Sequence, residues 1–547
     1  MNSDFFARDL SGIIFLVLLI ALPLAYLICL VLLRLYRRAV LQVMLQQKEN
    51  TQKETSSKPF VIPSDETGKR ELKITVHDEK SEGIATSSPQ HSHTNLLGAP
   101  RRAAIVYSIA GLSYALVMTI VFLSATRSGF HLTSFLMLFW YYSWPVVVTV
   151  CLVAAANWQM RLSVTLIYFL ALIPLLILTF FVRPVVGWGQ IAVLWLLTNL
   201  VALIILLAFL NRRIRAVGPF VLTFMIIAVT GSVILPIFLG MNSILFAVLG
   251  FIVFGMLGWL LVQGIGNWYK QKKISEQSIT IDAIWLLFGM FQSIGLLFEG
   301  ERWFIASLMA FVVYKLVSAV GFSYFGRKVS SDQNSPKLLL LRVFSLGPRS
   351  ERLFDILGIY WRYVGSIRLI AGPDLATATL EPHEFLDFLS GKLSRRFIDT
   401  AQTLDLRISE MDSRPDRDGQ FRVNEFFCYD ATWKMVLLRL VGTSDVVLMD
   451  LRGFSSQNAG CIFEINELIN TVNPARIIFV IDETTDETFL RKVLQQAWDE
   501  MRATSPNVAL KTGVLHLFRL KGFGNRDLKH FLHKLGSNVT TETKLTG

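Results

Sequence analysis

Cysteine and charged residues are both scarce in this chain of 547 residues. Only four cysteines occur, and Lys, Arg, Asp and Glu together make up 17% of the chain. The cysteines form no Cys-x-x-Cys motif and have no neighbouring His pair, so the sequence predicts neither a disulfide framework nor a metal site. Because 53% of the residues are hydrophobic, the chain is too apolar for a soluble protein of this length.

Nine apolar runs of membrane-spanning length lie before residue 326. Each is close to the roughly 20 residues that a helix needs to cross about 30 Å of hydrocarbon. We predict spans at residues 11–33, 103–124, 134–156, 162–182, 187–210, 217–239, 243–263, 280–298 and 303–325. The first run is followed by basic residues and by no Ala-x-Ala site, unlike a cleaved secretory signal. It is therefore predicted to be a retained membrane anchor.

Lysine and arginine fall on alternate loops between these runs. Fourteen of them lie on one side of the predicted membrane and four on the other. The positive-inside rule then predicts an integral, multi-pass protein of the plasma (inner) membrane, with its N-terminus outside and its C-terminus cytoplasmic. Residues 1–335 carry +11 of the net charge of +12. The basic excess thus reflects membrane orientation, and no nucleic-acid partner is expected.

Composition divides the chain into five regions. We predict a first membrane anchor at 1–39, a disordered cytoplasmic loop at 40–100, an eight-span membrane domain at 101–328, a cytosolic α/β domain at 336–535 and a disordered tail at 536–547. Within the loop, residues 72–76 alternate like a strand, but so short a segment is not expected to hold without a partner.

Ionisable residues are nearly absent from the interior of the predicted spans. Lys315 alone lies well inside one, whereas Asp282 stands at a helix start. Ion-coupled carriers keep paired charges in mid-membrane, where charge is costly. The pattern therefore favours a membrane half that anchors, assembles or senses. Lys315 is expected in a helix–helix interface or near a watery recess, with a substrate contact as the alternative.

Short apolar runs alternate with amphipathic stretches after residue 335. We predict strands at 338–344, 367–370, 446–451, 477–481 and 514–520, with helices between them. Such alternation is typical of βα units and indicates a doubly wound, mostly parallel sheet. Residues 375–429 form an insertion that the sequence does not assign to a place.

Polar residues follow the ends of the predicted strands, where ligands gather in sheets of this kind. The candidate ligand-binding residues are Ser345, Arg349, Asp374, Asp450, Arg452 and Asp482. The structural alternative is that an aspartate after a strand caps the next helix. Neither Gly-x-Gly-x-x-Gly nor a P-loop pattern occurs here, so a standard phosphate cradle is not predicted.

The most specific stretch of the cytosolic part begins at Asp445. The run Asp445-Val446-Val447-Leu448-Met449-Asp450 is followed by Asn458-Ala459-Gly460-Cys461-Ile462-Phe463-Glu464-Ile465. This stretch resembles the third strand and following helix of TIR (Toll/interleukin-1 receptor) domains, in which a pattern like Ser-x-Trp-Cys-x-x-Glu-Leu opens the helix. Cys461 and Glu464 match the pattern and Ile465 stands for Leu, whereas Asn458 and Gly460 replace Ser and Trp. The resemblance covers only the cytosolic part and implies a TIR/flavodoxin-like fold.

The resemblance also implies a catalytic residue. In enzymatically active TIR domains the glutamate of the pattern supports cleavage of the nicotinamide–ribose bond of NAD, which assigns that role to Glu464 and makes NAD a substrate. Helical periodicity places Glu464 about 60° from Cys461, at the edge of an apolar face, and Glu467 outside that face. A half-buried carboxylate there suits a developing oxocarbenium charge. The alternative is an edge glutamate paired with an arginine.

Three functions stay open on the sequence alone. The first is a multi-pass membrane protein whose cytosolic TIR-like domain signals or acts as an effector, with NAD cleavage as its chemistry. The second is a non-catalytic TIR-like interaction module on a membrane sensor. The third is a transporter with a regulatory α/β tail. Partners are the lipid bilayer and further copies of the chain, and no cofactor is predicted apart from NAD as substrate.

Overall fold

Long apolar helices come first in the chain, and a parallel sheet with its helices follows. The computed structural model describes residues 21–44, 71–77, 93–126, 131–154, 158–171, 173–174, 177, 211–240, 243–297, 299–326, 335–342, 348–371, 380–429, 431–510, 512–520, 531–532 and 535.

The first part is helical. Its helices are α1 over residues 21–44, α2 His93–Ala125, α3 Leu132–Ser143, α4 Pro145–Val153, α5 Trp158–Leu170, α6 Gly218–Leu239, α7 Ile244–Lys270, α8 Glu276–Leu297 and α9 Glu301–Gly326. A one-turn helix, Arg212–Arg215, precedes α6.

Six stretches of the described helices are long and apolar enough to cross a membrane. They are Gly98–Ala125, Leu132–Val153, Gly218–Pro236, Ile244–Lys270, Glu276–Leu297 and Glu301–Tyr324. They coincide with the second, third, sixth, seventh, eighth and ninth predicted spans. Helix α1 covers the second half of the first predicted span, and α5 covers the first half of the fourth. The fifth prediction, 187–210, lies outside the described residues.

The second part is an eight-stranded sheet in which every strand pair is parallel. Its strands are β1 Glu71–His77, β2 Lys337–Arg342, β3 Ser366–Ala371, β4 Phe397–Ile398, β5 Val423–Cys428, β6 Val446–Asp450, β7 Ile477–Ile481 and β8 Thr512–Arg519. They lie in the order β1-β8-β7-β6-β2-β3-β5-β4. The helices are α10 Pro348–Tyr360, α11 Pro382–Leu389, α12 Ala401–Ser409, α13 Trp433–Gly442, α14 Ala459–Thr471 and α15 Glu487–Asp499.

The predicted parallel α/β sheet is confirmed. Strands β6 and β7 are buried along their whole length, as expected for apolar strands that are covered on both faces. One face of the sheet belongs to the same apolar cluster as the membrane helices, through residues such as Leu340 and Ile367. The unplaced insertion supplies β5 and β4, which extend the sheet beyond β3.

The prediction that residues 40–100 are disordered is wrong at three places, the first being residues 40–44, which belong to α1. Residues 71–77 form β1, which pairs with β8 from Glu71 opposite Thr512 to His77 opposite Phe518. The segment holds because the open edge of β8 supplies its hydrogen-bonding partners, while Leu72, Ile74 and Val76 pack on the sheet core. The end of the loop is also ordered, since α2 begins at His93.

Candidate functional site

The carboxyl ends of β2 and β6 lie side by side at the centre of the sheet. From β2 the chain builds outward through β3, and it later returns to place β6 on the other side of β2. Such a reversal creates the crevice in which doubly wound sheets bind ligands. Arg342 ends β2, stands opposite Asp450 in register and was missed by the sequence analysis. In the sequence, the one feature that marked Arg342 as a candidate was its place at the end of an apolar strand.

Glu464 lies near this crevice, one turn into α14. It is 3% exposed, whereas we expected it to be half-buried. Its Oε2 atom has no hydrogen-bond partner within the described residues. Burial raises the pKa of the Glu464 carboxyl to about 8, although the nearby Arg342 opposes this shift. The carboxyl is therefore mostly protonated at neutral pH, and it could donate a hydrogen bond to a ligand or accept one from it.

Cys461 faces the same region from the first turn of α14. Its thiol is buried and approaches the carbonyl oxygen of Arg342 at 3.9 Å. Burial raises the pKa of this thiol above its ordinary value, with Glu464 adding to the effect. A thiol held in the neutral form is a poor nucleophile, so Cys461 contributes packing to the site.

The structure brings two of the six predicted ligand-binding residues to the crevice. Asp450 accepts hydrogen bonds at 2.7 Å from both Nε and Nη2 of Arg452, and both residues are buried. Asp482 instead accepts from the backbone N–H of Thr484 at 2.9 Å, so it shapes the turn before α15. Ser345 and Asp374 lie outside the described residues, as does the side chain of Arg349.

Glu467 does not point outward as expected. It is buried, and its carboxylate pairs with the guanidinium of Arg502. The chain after α15 covers this side of α14, where Asn507 Nδ2 donates to the carbonyl oxygens of Ile469 at 2.7 Å and Val472 at 2.8 Å. A helical wheel could not show this cover, because it comes from a segment distant in the sequence.

A second polar assembly joins the long apolar helices to the α/β part. The turn between α7 and α8, residues 271–275, and the adjoining ends of the two helices, residues 266–270 and 276–277, contact Arg362 and residues 380–422, and we call this contact the junction. Lys272 has a left-handed backbone with φ of 58°, a conformation that costs energy for a residue with a Cβ. Two contacts of its side chain offset this energy: Lys272 Nζ pairs with Asp412 and donates to the carbonyl oxygen of Arg414 at 2.8 Å.

Two arginines of the α/β part anchor the junction. Arg362 Nη1 donates to Glu276 at 2.7 Å, and Arg362 Nε donates to the carbonyl oxygen of Phe421 at 2.7 Å. Arg422 Nη2 donates to the carbonyl oxygen of Tyr269 at 2.6 Å, and its guanidinium lies 3.9 Å from the centre of the Tyr269 ring. Burial opposes the charge on Arg362, but nearby carboxylates, Glu276 foremost, raise the pKa of its guanidinium above the ordinary value.

Carboxylates and amides complete the junction. The Tyr269 hydroxyl donates to Glu381, Ser275 donates to Asp418, and Gln420 donates to Gln277. Burial raises the pKa of the Glu381 and Asp418 carboxyls above their ordinary range. None of these residues was predicted from the sequence, and only those in the insertion 375–429 had a signal, the mixed charges of that segment.

The expectation that the membrane helices lack coupled charges is wrong. Lys315 Nζ on α9 donates to Asp282 Oδ2 on α8 at 2.6 Å, across the helix–helix interface. The two residues are far apart in sequence but adjacent in space, because α8 and α9 are neighbouring helices. Lys315 also lines a cavity of about 670 Å³ between these helices and residues 415–419.

No group of three or more His, Cys, Asp or Glu side chains suited to a metal ion occurs within the described parts of the chain. The polar groups near the strand ends include a buried carboxyl and a guanidinium, which suit an organic ligand with hydrogen-bonding groups. Comparison of the chain with protein-family models, with curated proteins and with solved structures finds no match.

Proposed function

We propose that the protein is a membrane-embedded transducer whose spanning helices control a ligand site in the cytosolic α/β domain. The junction carries this proposal. Separating a buried ion pair such as Arg362–Glu276 leaves an unpaired buried charge, at a cost of about 3–5 kcal/mol. The start of α8 and Arg362 therefore move together, and Arg362 is tied to residues 380–422 through its hydrogen bond to the carbonyl oxygen of Phe421. Residues 423–428 form β5, two strands from β2, so a shift of α7 or α8 reaches the strand-end crevice.

The cytosolic domain is proposed to be TIR-like. Taken alone, the five strands predicted from the sequence lie in the order β3-β2-β6-β7-β8, which is 2-1-3-4-5 along the chain. That is the flavodoxin-like order, and the addition of β5 beside β3 extends it to 3-2-1-4-5-6, the order of dinucleotide-binding sheets. Both orders place a ligand at the carboxyl ends of β2 and β6.

The proposed chemistry is cleavage of the nicotinamide–ribose bond of NAD, with Glu464 as the catalytic residue. As nicotinamide leaves as a neutral molecule, the positive charge developing on the ribose would lower the pKa of the buried carboxyl, whose proton would pass to water, and the resulting carboxylate would stabilise that charge. Water would then add to the ribose carbon, and the proton it releases would return to the carboxylate. Arg342 is the group that would approach a phosphate or hydroxyl of the ligand. The proposal includes self-association of the chain, as the resemblance implies.

The test uses the full-length protein in lipid nanodiscs with NAD and measures free nicotinamide. Glu464→Gln should lower turnover on the order of 100-fold, the effect of losing one such group. Glu483→Gln is the matched control, because Glu483 is an exposed carboxylate after the neighbouring strand β7. Nicotinamide released equally by both variants would reject Glu464. If no variant releases nicotinamide but the chain self-associates, the domain is a non-catalytic interaction module.

One observation favours a second candidate function, a transporter with a regulatory α/β tail. Lys315, which pairs with Asp282, lines a cavity. Charged pairs occupy such positions along solute pathways. Solute uptake into proteoliposomes that is lost in Lys315→Ala would support transport over transduction.

A further inference from the structure

The cavity beside Lys315 lies where the membrane helices meet the cytosolic part. It is lined by Tyr107 on α2, by the turn 272–275 and Ser278, by residues of α9 from Lys315 to Ser323, and by residues 415–419. The α7–α8 turn carries Lys272 and Lys273 and follows an apolar span, so it marks the level of the lipid headgroups. One wall of the cavity is thus membrane helix and the other is cytosolic.

We propose that this cavity binds the phosphate of an anionic phospholipid from the cytosolic leaflet. Four basic residues line it, namely Lys272, Lys273, Lys315 and Arg417. Lys272 and Lys315 are paired with Asp412 and Asp282, whereas Lys273 and Arg417 are exposed and form no ion pair with the residues described. Two unpaired cations at headgroup level attract an anionic lipid.

The two acids in the lining are already engaged. Asp416 accepts from Arg422 Nε at 3.0 Å, and Asp418 accepts from Ser275 and from the backbone N–H of Gln420. They therefore do not neutralise Lys273 and Arg417. The Tyr107 hydroxyl is buried in the wall close to Ser278, and it could donate a hydrogen bond to a phosphate oxygen in the cavity.

The cavity opens on a lipid-facing side of α9, which favours a lipid over a soluble phosphate. Ala319 and Ser323 line it and are exposed, and they share one helical face with the exposed apolar residues Leu316 and Val320. Acyl chains along that face would continue from a headgroup in the cavity. The volume of about 670 Å³ is in the range of small-molecule sites, so a phosphoglycerol group fits.

The experiment is native mass spectrometry of the full-length protein with phosphatidylglycerol, with phosphatidylcholine and with soluble glycerol 3-phosphate. Wild type should retain phosphatidylglycerol in preference to phosphatidylcholine. The double variant Lys273→Ala/Arg417→Ala should bind phosphatidylglycerol at least about tenfold more weakly than wild type, because each cation near a membrane surface contributes to lipid binding. Tyr107→Phe, which removes only the hydroxyl, should show a smaller loss.

The matched control is Arg491→Ala/Lys492→Ala, which removes one exposed arginine and one exposed lysine from α15, away from the cavity. It should retain phosphatidylglycerol as the wild type does. Equal binding of both phospholipids, or equal loss in the two double variants, would overturn the proposal. Displacement of the lipid by an equal concentration of glycerol 3-phosphate would overturn the lipid source and assign the site to a soluble phosphate.

Discussion

The guanidinium of Arg362 and the carboxylate of Glu276 lie 2.7 Å apart, and their side chains are only 4% and 5% exposed. One residue follows α10 in the α/β part, and the other begins the apolar helix α8. A pair buried this deeply tolerates neither the loss of one partner nor separation of the two. Together with the other junction contacts, it fixes the orientation of the α/β part on the apolar helices.

Arg362→Ala should lower the stability of the full-length protein by about 3–5 kcal/mol, because Glu276 then stays buried without its partner. The midpoint of thermal unfolding in detergent measures the change. Arg439→Ala is the matched control, since Arg439 pairs with Asp405 at an exposed position and such pairs contribute about 0–1 kcal/mol. The double variant Arg362→Met/Glu276→Leu should recover most of the loss. Equal midpoints for Arg362→Ala and Arg439→Ala would refute the role of the pair.

Gly266→Leu should disrupt the contact between α7 and α11. A Cβ at Gly266 would lie 2.2 Å from Leu386 Cδ1, so a large side chain overpacks the junction at a cost of about 1–3 kcal/mol. Gly264 is the control on the same helix, because a Cβ there meets nothing within 4 Å. Thermal unfolding should show a lower midpoint for Gly266→Leu than for Gly264→Leu. If the order is reversed, the helices do not dock as described.

The Glu464 carboxyl makes stability depend on pH. Its pKa is about 8 in the folded chain and near 4.5 when unfolded, so the unfolded state gives up the proton first as pH rises. Between about pH 4.5 and about pH 8 the folded state binds more protons than the unfolded state, so the free energy of unfolding falls as pH rises through that range. Glu464→Gln cannot ionise and escapes this loss.

The unfolding midpoints of wild type and Glu464→Gln should therefore diverge as pH rises from 5 to about 8, with the variant the more stable by on the order of a few kcal/mol at the upper end. The exposed Glu483→Gln variant should follow the wild type throughout. Parallel curves for wild type and Glu464→Gln would mean that the carboxyl is not buried in the folded protein.

Reporter fusions test the orientation that the basic loops predict. A reporter that is active only in the cytosol should work when fused after Lys270 or Gly547, and one that is active only outside should work after Gly240. A silent cytosolic reporter at Gly547 would place the α/β domain on the other side of the membrane and remove access to cytosolic NAD.

The sequence alone predicted six of the apolar stretches and five of the eight strands that the structure describes, because each of these elements is specified by the period and length of its own apolar residues. Glu464 and the Asp450–Arg452 segment stay predictions of a functional site. The sequence alone misjudged how deeply Glu464 is buried and where Glu467 points, because the segments that cover α14 lie elsewhere in the chain.

Tertiary structure decided the contacts between segments that are distant along the chain. The pairing of β1 with β8, the Lys315–Asp282 pair and the Arg362–Glu276 pair each join residues whose local patterns are unremarkable. A strand of seven residues needs an open sheet edge, and a buried charge needs a partner at about 3 Å. Neither requirement is visible in a local window of sequence, since the partner becomes a neighbour only when the chain folds.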